Sequence, residues 1–171
     1  SGRACGPDDC RHPWSTCGCD QSDARVTSIP LVALAGNPNA GKSALFNALT
    51  GARQKTGNYP GVTVERHAGR FSLDDGRPVE VVDLPGTYSL KPASPDEAVT
   101  RDVIMGRQAG ERRPDALVIV VDAGNLDNHL RFAIELIALG LPTVVALNMV
   151  DLAERDGLIL SVEQLYKALG E

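Results

Sequence analysis

The sequence has little of three features that would each indicate a particular class of protein. It contains no apolar run near the roughly 18–20 residues that a membrane-spanning helix needs. The longest runs, Ala116–Val121 and Thr143–Leu147, have the length of strands. No secretory signal is visible either, because the beginning of the chain is polar and rich in cysteine. We therefore expect the chain itself to be soluble.

Cysteine is absent from the sequence after residue 19, and positive charge is not in excess. All four cysteines lie in the first twenty residues, so disulfide bonds could link only that segment. The formal net charge of −5 argues against a nucleic-acid partner, since domains that bind nucleic acid usually carry a basic face. With 43% hydrophobic and 23% charged residues, the composition is that of an ordinary globular domain.

Residues 1–25 are rich in glycine, proline, aspartate, serine and cysteine and show neither helical nor strand periodicity. We interpret them as a flexible extension ahead of a folded domain at residues 26–171. The extension contains ligands suited to zinc or to an iron–sulfur cluster, namely Cys5, Cys10, Cys17, Cys19 and His12. Their spacing matches no common zinc signature, so a metal site and a metal-free, redox-labile tail both stay open.

From residue 26 onward, short apolar runs alternate with helical patterns, which is typical of βαβ units. This alternation predicts an α/β fold with a mostly parallel central sheet and helices on both faces. The Asp-Asp-Gly turn at residues 74–76 favours a hairpin and so predicts one antiparallel strand. The predicted strands are 29–35, 66–73, 78–82, 116–121 and 143–147. One predicted helix follows residue 43, and the others span 96–109, 126–139 and 161–169. The predicted loops are 52–64 and 83–95.

The segment Gly36–Ser43 (GNPNAGKS) fits the pattern G-x-x-x-x-G-K-[ST], and it lies between a predicted strand and a predicted helix. Such a loop binds phosphates with its backbone N–H groups and with the N-terminus of the helix. In this pattern Lys42 reaches the β- and γ-phosphates, and the Ser43 hydroxyl ligates Mg²⁺. The pattern predicts a P-loop nucleotide site without separating ATP from GTP. Its expected nucleotide contacts are Asn37, Asn39, Ala40, Gly41, Lys42, Ser43 and Ala44.

Two further segments supply groups for the metal and the γ-phosphate. An apolar strand ends at Asp83 and is followed by Leu-Pro-Gly86, at the sheet edge where open α/β sheets bind ligands. We expect Asp83 to hold Mg²⁺ through water and Gly86 to offer its N–H to the γ-phosphate. In the predicted loop at 52–64, Thr63 is the best candidate for a hydroxyl that meets Mg²⁺ only when the γ-phosphate is present. Alternatively, Asp83 is an ordinary aspartate at the end of a strand, and Thr63 is a threonine at the beginning of one, without contact to a metal.

The segment Asn148–Asp151 (NMVD) follows a predicted strand and resembles the N-K-x-D element of GTPases. Asp151 can accept hydrogen bonds from guanine, whereas adenine lacks that pair of donors and would leave the carboxylate unpaired. We expect Asn148 to tie this site to the phosphate loop. Met149 stands where the element has lysine, and it would cover the base with its apolar side chain. These residues favour a guanine nucleotide, GTP or GDP, over ATP.

Four segments together resemble one family. GNPNAGKSALFNALTG, KTGNYPGVTVER, VVDLPGTYSL and ALNMVD are similar to the GTPase domain of the FeoB family of bacterial ferrous-iron transporters. The similarity runs from Ile29 to Glu171, and it implies a P-loop NTPase fold of the Ras-like G-domain type on the cytoplasmic side of the inner membrane. It also implies that a helical domain and a transmembrane iron-permeation domain are the partners, and that the chain ends before the last strand of its G domain.

The resemblance further implies slow, Mg²⁺-dependent GTP hydrolysis that potassium stimulates, with Asn39 matching the asparagine that helps to bind K⁺. A cation there would neutralise transition-state charge as an arginine finger does. The alternative for Asn39 is a turn residue without a ligand. Residue 87 is threonine where Ras-like enzymes have a water-orienting glutamine. We therefore expect low turnover, with Lys42, Thr63 and Gly86 as the catalytic groups.

Three other functions stay open. A soluble GTPase that acts on ribosomes or tRNA would need a basic face or an RNA-binding appendage, and neither is visible in the sequence. A switch module with negligible hydrolysis is compatible with the missing glutamine, and an ATPase is compatible with the phosphate loop taken alone. The sequence also leaves a homo-oligomer open.

Overall fold

The structure is a computed structural model that describes residues 28–51 and 54–169. The predicted extension at residues 1–25, with its four cysteines, lies outside the described residues. The described part forms a six-stranded sheet with helices packed on it. The strands are β1 (Leu31–Gly36), β2 (Gln54–Asn58), β3 (Glu65–Ser72), β4 (Pro78–Asp83), β5 (Ala116–Asp122) and β6 (Thr143–Asn148). The helices are α1 (Lys42–Thr50), α2 (Pro95–Ile104), α3 (Leu126–Ile137), α4 (Val150–Arg155) and α5 (Val162–Ala168), with a 3-10 turn at Ala123–Asn125.

The strand order in the sheet is β2-β3-β4-β1-β5-β6. Strand β1 lies between β4 and β5 and runs parallel to both, and β5 runs parallel to β6. Strand β3 runs antiparallel to both of its neighbours, β2 and β4. The predicted, mostly parallel sheet with one antiparallel strand is thus confirmed. The Asp-Asp-Gly turn lies in the connection between β3 and β4, as predicted.

The core has two layers because neighbouring residues in a strand point to opposite faces of the sheet. In β1, Ala33 belongs to a cluster that contains Val103 of α2 and Phe132 of α3. The next residue, Leu34, belongs to a second cluster on the other face, with Phe46 of α1. Helices therefore cover both faces of the sheet, as the sequence pattern predicts.

The predicted loop at 52–64 is wrong in its first half, because Gln54–Asn58 forms the edge strand β2. All residues of β2 are exposed, so this strand carries no apolar alternation that a sequence pattern could reveal. It is held by its backbone pairing with β3. Residues 59–64 remain as a loop between β2 and β3, which we call the switch loop because it contains Thr63.

The predicted helix at 96–109 is too long, because α2 ends at Ile104. Its beginning is capped by Ser94, whose side chain accepts a hydrogen bond from the N–H three residues further on. Its end is fixed by Gly106, whose φ of +69° is rare for any residue with a β-carbon. Residues 105–115 form the α2–β5 connection. The short helix α4 was not predicted, since six residues are too few to show a helical period.

The last described helix, α5, is capped at its beginning. The Ser161 hydroxyl accepts a hydrogen bond from the Gln164 N–H at 3.3 Å. None of the helices that the structure describes is both long and apolar enough to traverse a lipid bilayer.

Candidate nucleotide-binding site

The predicted phosphate loop connects β1 to α1 and leads directly into the N-terminus of that helix. Two of its glycines are required by the space around them. A β-carbon at Gly36 would collide with the backbone carbonyl of Val120, and one at Gly41 would collide with the side-chain amide of Asn148. Gly41 also has a φ of +89° at the N-cap of α1. The first turn of α1 contains no acidic side chain, so its N–H groups can face an anion.

Lys42 occupies the first position of α1 and is buried, with 7% of its surface exposed. Its Nζ donates a hydrogen bond to the carbonyl of Asn37 at 2.9 Å, across the loop. Burial lowers the pKa of the Lys42 ammonium, and the charge of Asp83 opposes this shift. The ammonium is thus partly desolvated, and a phosphate brought next to it would form strong charge-assisted hydrogen bonds.

Asp83 ends β4 and is also buried, with 8% of its surface exposed. The parallel pairing of β1 with β4 sets it opposite Leu34, close to the beginning of the phosphate loop. Its Oδ2 accepts a hydrogen bond from the Ser43 hydroxyl at 3.0 Å, whereas its buried Oδ1 has no hydrogen-bond partner. Burial raises the pKa of Asp83, while the Ser43 hydrogen bond and the charge of Lys42 lower it.

The pair of Ser43 and Asp83 fits a magnesium ion. Mg²⁺ takes oxygen ligands, and it is commonly held by one or two protein groups together with waters and phosphates. The unpartnered Oδ1 of Asp83 is a buried acceptor that needs such a partner. Residues 28–51 and 54–169 contain no cluster of three or more His, Cys, Asp or Glu side chains that could hold a metal. Ser43 and Asp83 would leave the other positions around a Mg²⁺ ion to water and phosphate oxygens.

These groups line a cavity of about 550 Å³. Its wall brings together six residues predicted from the sequence to contact phosphate or metal: Asn39, Lys42, Ser43, Thr63, Asp83 and Gly86. Three further titratable residues on this wall were not predicted: Glu65, His67 and Asp96. No short motif signals them. His67 lies on this wall because the register of β3 against β4 places it opposite Asp83.

Gly86 approaches the phosphate loop closely. A β-carbon at this position would lie 2.9 Å from the backbone of Pro38 and 3.1 Å from Lys42 Nζ, so only glycine fits without a shift. The next residue, Thr87, is fully buried, and its hydroxyl donates a hydrogen bond to the carbonyl of Ser89 at 2.8 Å. The Thr87 side chain is therefore engaged with the backbone and is not part of the cavity wall.

The switch loop has a buried beginning and an exposed tip. Tyr59, at its beginning, is 1% exposed and packs in the larger apolar cluster, and its hydroxyl has no hydrogen-bond partner. Burial raises the pKa of this hydroxyl, so it stays protonated at neutral pH. Thr63, near the end of the loop, is exposed and reaches the cavity wall. The loop thus anchors one end in the core and presents Thr63 to the predicted metal position.

The predicted base-specific residues lie at the end of β6. Asn148 Nδ2 donates a hydrogen bond to the carbonyl of Ala40 at 3.0 Å, which is the expected tie to the phosphate loop. Met149 has a left-handed backbone with a φ of +58°, and its methyl group lies beside Gly41. Asp151 stands in the first turn of α4 and is exposed. None of these side chains lines the phosphate cavity, so the two groups of residues meet at the loop without sharing one cavity.

Two other predicted contacts also lie away from the phosphate cavity. Asn37 is buried, and neither polar atom of its side chain has a hydrogen-bond partner, while its backbone carbonyl holds Lys42. Ala44 lines a separate, mostly apolar cavity of about 350 Å³ between α1 and the ends of β5 and β6. Asn37 thus reaches the site through its backbone, and Ala44 lies on the same cavity wall as Asn148.

Comparison with known proteins gives the family. The family model described as ferrous iron transport protein B (FeoB_N) matches residues 30–171. The Fe(2+) transporter FeoB of Shigella flexneri is 47% identical over 143 residues, which make up 81% of this chain and 18% of that protein. The chain therefore spans less than a fifth of the length of that curated relative.

Solved structures are similar as well. A mutant of S. thermophilus NFeoB bound to mGDP is 42% identical, with a TM-score of 0.73, and the match covers 82% of this chain and 51% of that one. The cytosolic domain of T. maritima FeoB in its GMPPNP form is 36% identical, with a TM-score of 0.74 and coverage of 83% and 54%. These similarities confirm the predicted Ras-like G-domain fold. By sequence and by fold, the chain belongs to the ferrous iron transport protein B (FeoB) family and corresponds to its G domain.

Proposed function

We propose that the chain binds GTP with Mg²⁺ between the phosphate loop and Asp83, and that it hydrolyses GTP slowly. The observation that carries this proposal is the group of Lys42, Ser43 and Asp83 on one cavity wall. The Lys42 ammonium and the Asp83 carboxylate are both partly desolvated, and Oδ1 of Asp83 has no hydrogen-bond partner. Two charges kept out of water without a full set of partners are costly. A triphosphate and a divalent cation would supply the missing partners.

In this proposal the phosphates lie along the backbone N–H groups of the loop, and Lys42 leaves its present carbonyl partner to contact the β- and γ-phosphates. Ser43 and Asp83 would hold Mg²⁺, Asp83 through water, and Thr63 would join them when the γ-phosphate is present. Bound Mg²⁺ supplies charge neutralisation at the phosphate oxygens. Gly86, which approaches the loop closely, donates its N–H to the γ-phosphate.

Slow turnover is expected because no glutamine follows Gly86 and the Thr87 hydroxyl is engaged with the backbone. The attacking water would then be oriented by backbone groups and by Thr63. Asn39, which lies on the cavity wall with a left-handed backbone, is the proposed contact for K⁺. A monovalent cation beside the phosphates would act as an arginine finger does, a contribution of about 10³–10⁵ in rate where such a finger has been measured.

We also propose a preference for guanine. Asp151 would accept hydrogen bonds from the base, and Met149 would cover it with its apolar side chain. Asn148 would keep both residues near the phosphates through its hydrogen bond to the loop. The relatives solved with mGDP and GMPPNP support a guanine nucleotide as the ligand.

The proposed setting is the cytoplasmic face of the inner membrane, where residues 26–171 would regulate a ferrous-iron transporter. The family assignment and the greater length of the curated relatives support this setting. The partners in such a protein would be a helical domain and a transmembrane domain, with Fe²⁺ as the cargo of the transmembrane part.

Fluorescent GDP and GTP analogues with Mg²⁺ test the binding, and phosphate release in K⁺ against Na⁺ tests the hydrolysis. We expect GTP but not ATP to displace the fluorescent nucleotide, and phosphate release to be at least about tenfold faster in K⁺. A chain that binds GTP and releases no phosphate in either salt would be a switch module instead, a second candidate that the engaged Thr87 hydroxyl favours. Binding of neither GDP nor GTP would contradict the proposal.

A further inference from the structure

The switch loop is joined to the α2–β5 connection by three contacts outside the nucleotide cavity. Arg66, just after the loop, forms an ion pair with Glu111, with Nε and Oε1 2.6 Å apart. The side-chain amide of Gln108 donates a hydrogen bond to the carbonyl of Pro60 at 3.2 Å. Gly110 lies against the Pro60 ring, where a β-carbon on the glycine would be 3.1 Å from Cγ. These contacts, which we call the latch, hold the loop near both of its ends.

The ion pair of the latch is far less exposed than an ordinary surface pair. The Arg66 and Glu111 side chains are 24% and 11% exposed, whereas those of Lys167 and Glu163 on α5 are 71% and 82% exposed. Exposed pairs contribute little, because water screens them. A pair drawn out of water is sensitive to the loss of one partner, since the other charge is then left uncompensated. The Arg66 Nε–H makes no hydrogen bond of good geometry, so the interaction between Arg66 and Glu111 is the attraction of their opposite charges.

The latch adjoins the buried beginning of the switch loop. Tyr59 packs in the same apolar cluster as Val99 and Val103 of α2. The charges of Arg66, Glu111 and Asp83 all act on its hydroxyl. Tyr59 is therefore close to the ion pair of the latch and to Asp83, the carboxylate predicted to hold the metal.

The tip of the switch loop lies between the latched ends. Gly61 has a φ of +83°, and Val62 and Thr63 are exposed. The base of the tip is closed by two backbone hydrogen bonds, from the Tyr59 N–H to the Val64 carbonyl and from the Val62 N–H to the Tyr59 carbonyl. With the latch formed, Thr63 already lies on the wall of the phosphate cavity.

We propose that Glu111 is a positioning residue for the triphosphate state: through Arg66 it holds the switch loop so that Thr63 stays near the metal position. This inference rests on the proposed function, because Thr63 is expected to meet Mg²⁺ only when a γ-phosphate is bound. A loop that is already in place loses less conformational freedom when its ligand arrives. GDP binding does not need Thr63, so the latch should raise the affinity for GTP and leave the affinity for GDP unchanged. A ligand shifts the position of the loop only when it binds one position more tightly than the other.

The test variant is Glu111→Gln, which removes the charge and keeps the shape of the side chain. The matched control is Glu163→Gln, which removes the same charge from the exposed pair on α5. Dissociation constants for GDP and for the non-hydrolysable analogue GMPPNP are measured with Mg²⁺ for each protein. We expect Glu111→Gln to weaken GMPPNP binding by about 3- to 30-fold and to leave GDP binding unchanged. This range is the usual effect on ligand binding of a substitution at a residue that does not touch the ligand. The control changes neither constant.

A second variant separates positioning from folding. The double substitution Arg66→Glu with Glu111→Arg restores an ion pair with reversed charges, and it should recover GMPPNP affinity together with hydrogen-exchange protection of residues 59–64. Equal loss of GDP and GMPPNP in Glu111→Gln, no loss of either, or tighter GMPPNP binding would each overturn the positioning role. If the unaltered chain binds neither nucleotide, the proposed function itself fails, and that result is distinct from all three.

Discussion

The phosphate side and the base side of the candidate site are built differently. The phosphate side is enclosed by the central strands β1 and β4, whose pairing sets Asp83 beside the loop, and its charged groups are buried. The base side stands on β6, the last strand of the described sheet, and on the short helix α4. Asp151 is exposed there, and so is the apolar side chain of Leu152 (41%).

This difference indicates that the two halves of nucleotide recognition depend on different forces. On the phosphate side, sheet pairing and burial fix the charged groups before any ligand arrives, so little ordering is required on binding. On the base side, the tie to the phosphate loop is the hydrogen bond from Asn148 to the Ala40 carbonyl. We therefore expect substitutions on the phosphate side to cost more affinity than substitutions on the base side.

The largest effect is expected from Asp83→Asn. The amide can still accept the Ser43 hydrogen bond, but it lacks the negative charge that would hold Mg²⁺. Affinity for GDP in the presence of Mg²⁺ should fall by about two orders of magnitude, which is about 3 kcal/mol. Asp75→Asn, an exposed aspartate in the turn between β3 and β4, is the control and should bind normally. Full Mg²⁺-dependent binding by Asp83→Asn would show that the carboxylate does not hold the metal.

A smaller effect is expected from Asp151→Asn, because this side chain is exposed and its hydrogen bonds compete with water. The ratio of GTP to ATP affinity should fall by about tenfold, corresponding to the loss of one or two hydrogen bonds to a charged group. Competition of fluorescent GDP by GTP and by ATP measures this ratio. Asp156→Asn, at the C-terminal end of the same helix, is the control and should leave the ratio unchanged. An unaltered ratio in Asp151→Asn would place base recognition elsewhere.

The smallest effect concerns the stability of the chain without nucleotide. Burial holds the pKa of Asp83 above its ordinary value, so the folded chain binds this proton more tightly than the unfolded chain does. The contribution of Asp83 to the free energy of unfolding is therefore fully present below its ordinary pKa and is lost as the pH rises through the raised, folded-state pKa.

Asp83→Asn removes this dependence. Its free energy of unfolding relative to that of the unaltered chain should increase as the pH rises through the raised pKa. Urea unfolding at a series of acidic to neutral pH values measures the difference. If the difference in free energy of unfolding between the two proteins stays constant across this range, or decreases, burial does not raise the pKa of Asp83.

The fold and the phosphate side could be predicted from the sequence because their signals are local. The loop motif specifies its own glycines, and the buried strands that flank it are continuous apolar runs. Asp83 could be placed beside the loop because the carboxyl ends of parallel strands meet at one edge of a sheet.

The features that escaped prediction depend on register or on distant contacts. Strand β2 has only exposed residues and no alternation, so only its pairing with β3 defines it. His67 faces Asp83 through the antiparallel register of β3 against β4, which no motif encodes. The pair of Arg66 and Glu111 joins two segments that are far apart in sequence, and charged residues of this kind look like ordinary surface residues until the chain is folded.

If a guanine nucleotide and Mg²⁺ are the partners of the buried charges on the phosphate side, binding them should stabilise the fold. Thermal unfolding of the unaltered chain with Mg²⁺ and GDP, compared with Mg²⁺ and ADP, measures this effect. We expect a saturable rise in Tm with GDP, reaching about 2.7 kcal/mol of stabilisation at a ligand concentration 100 times the Kd, and no such rise with ADP. An unchanged Tm with GDP, or an equal rise with ADP, would contradict it.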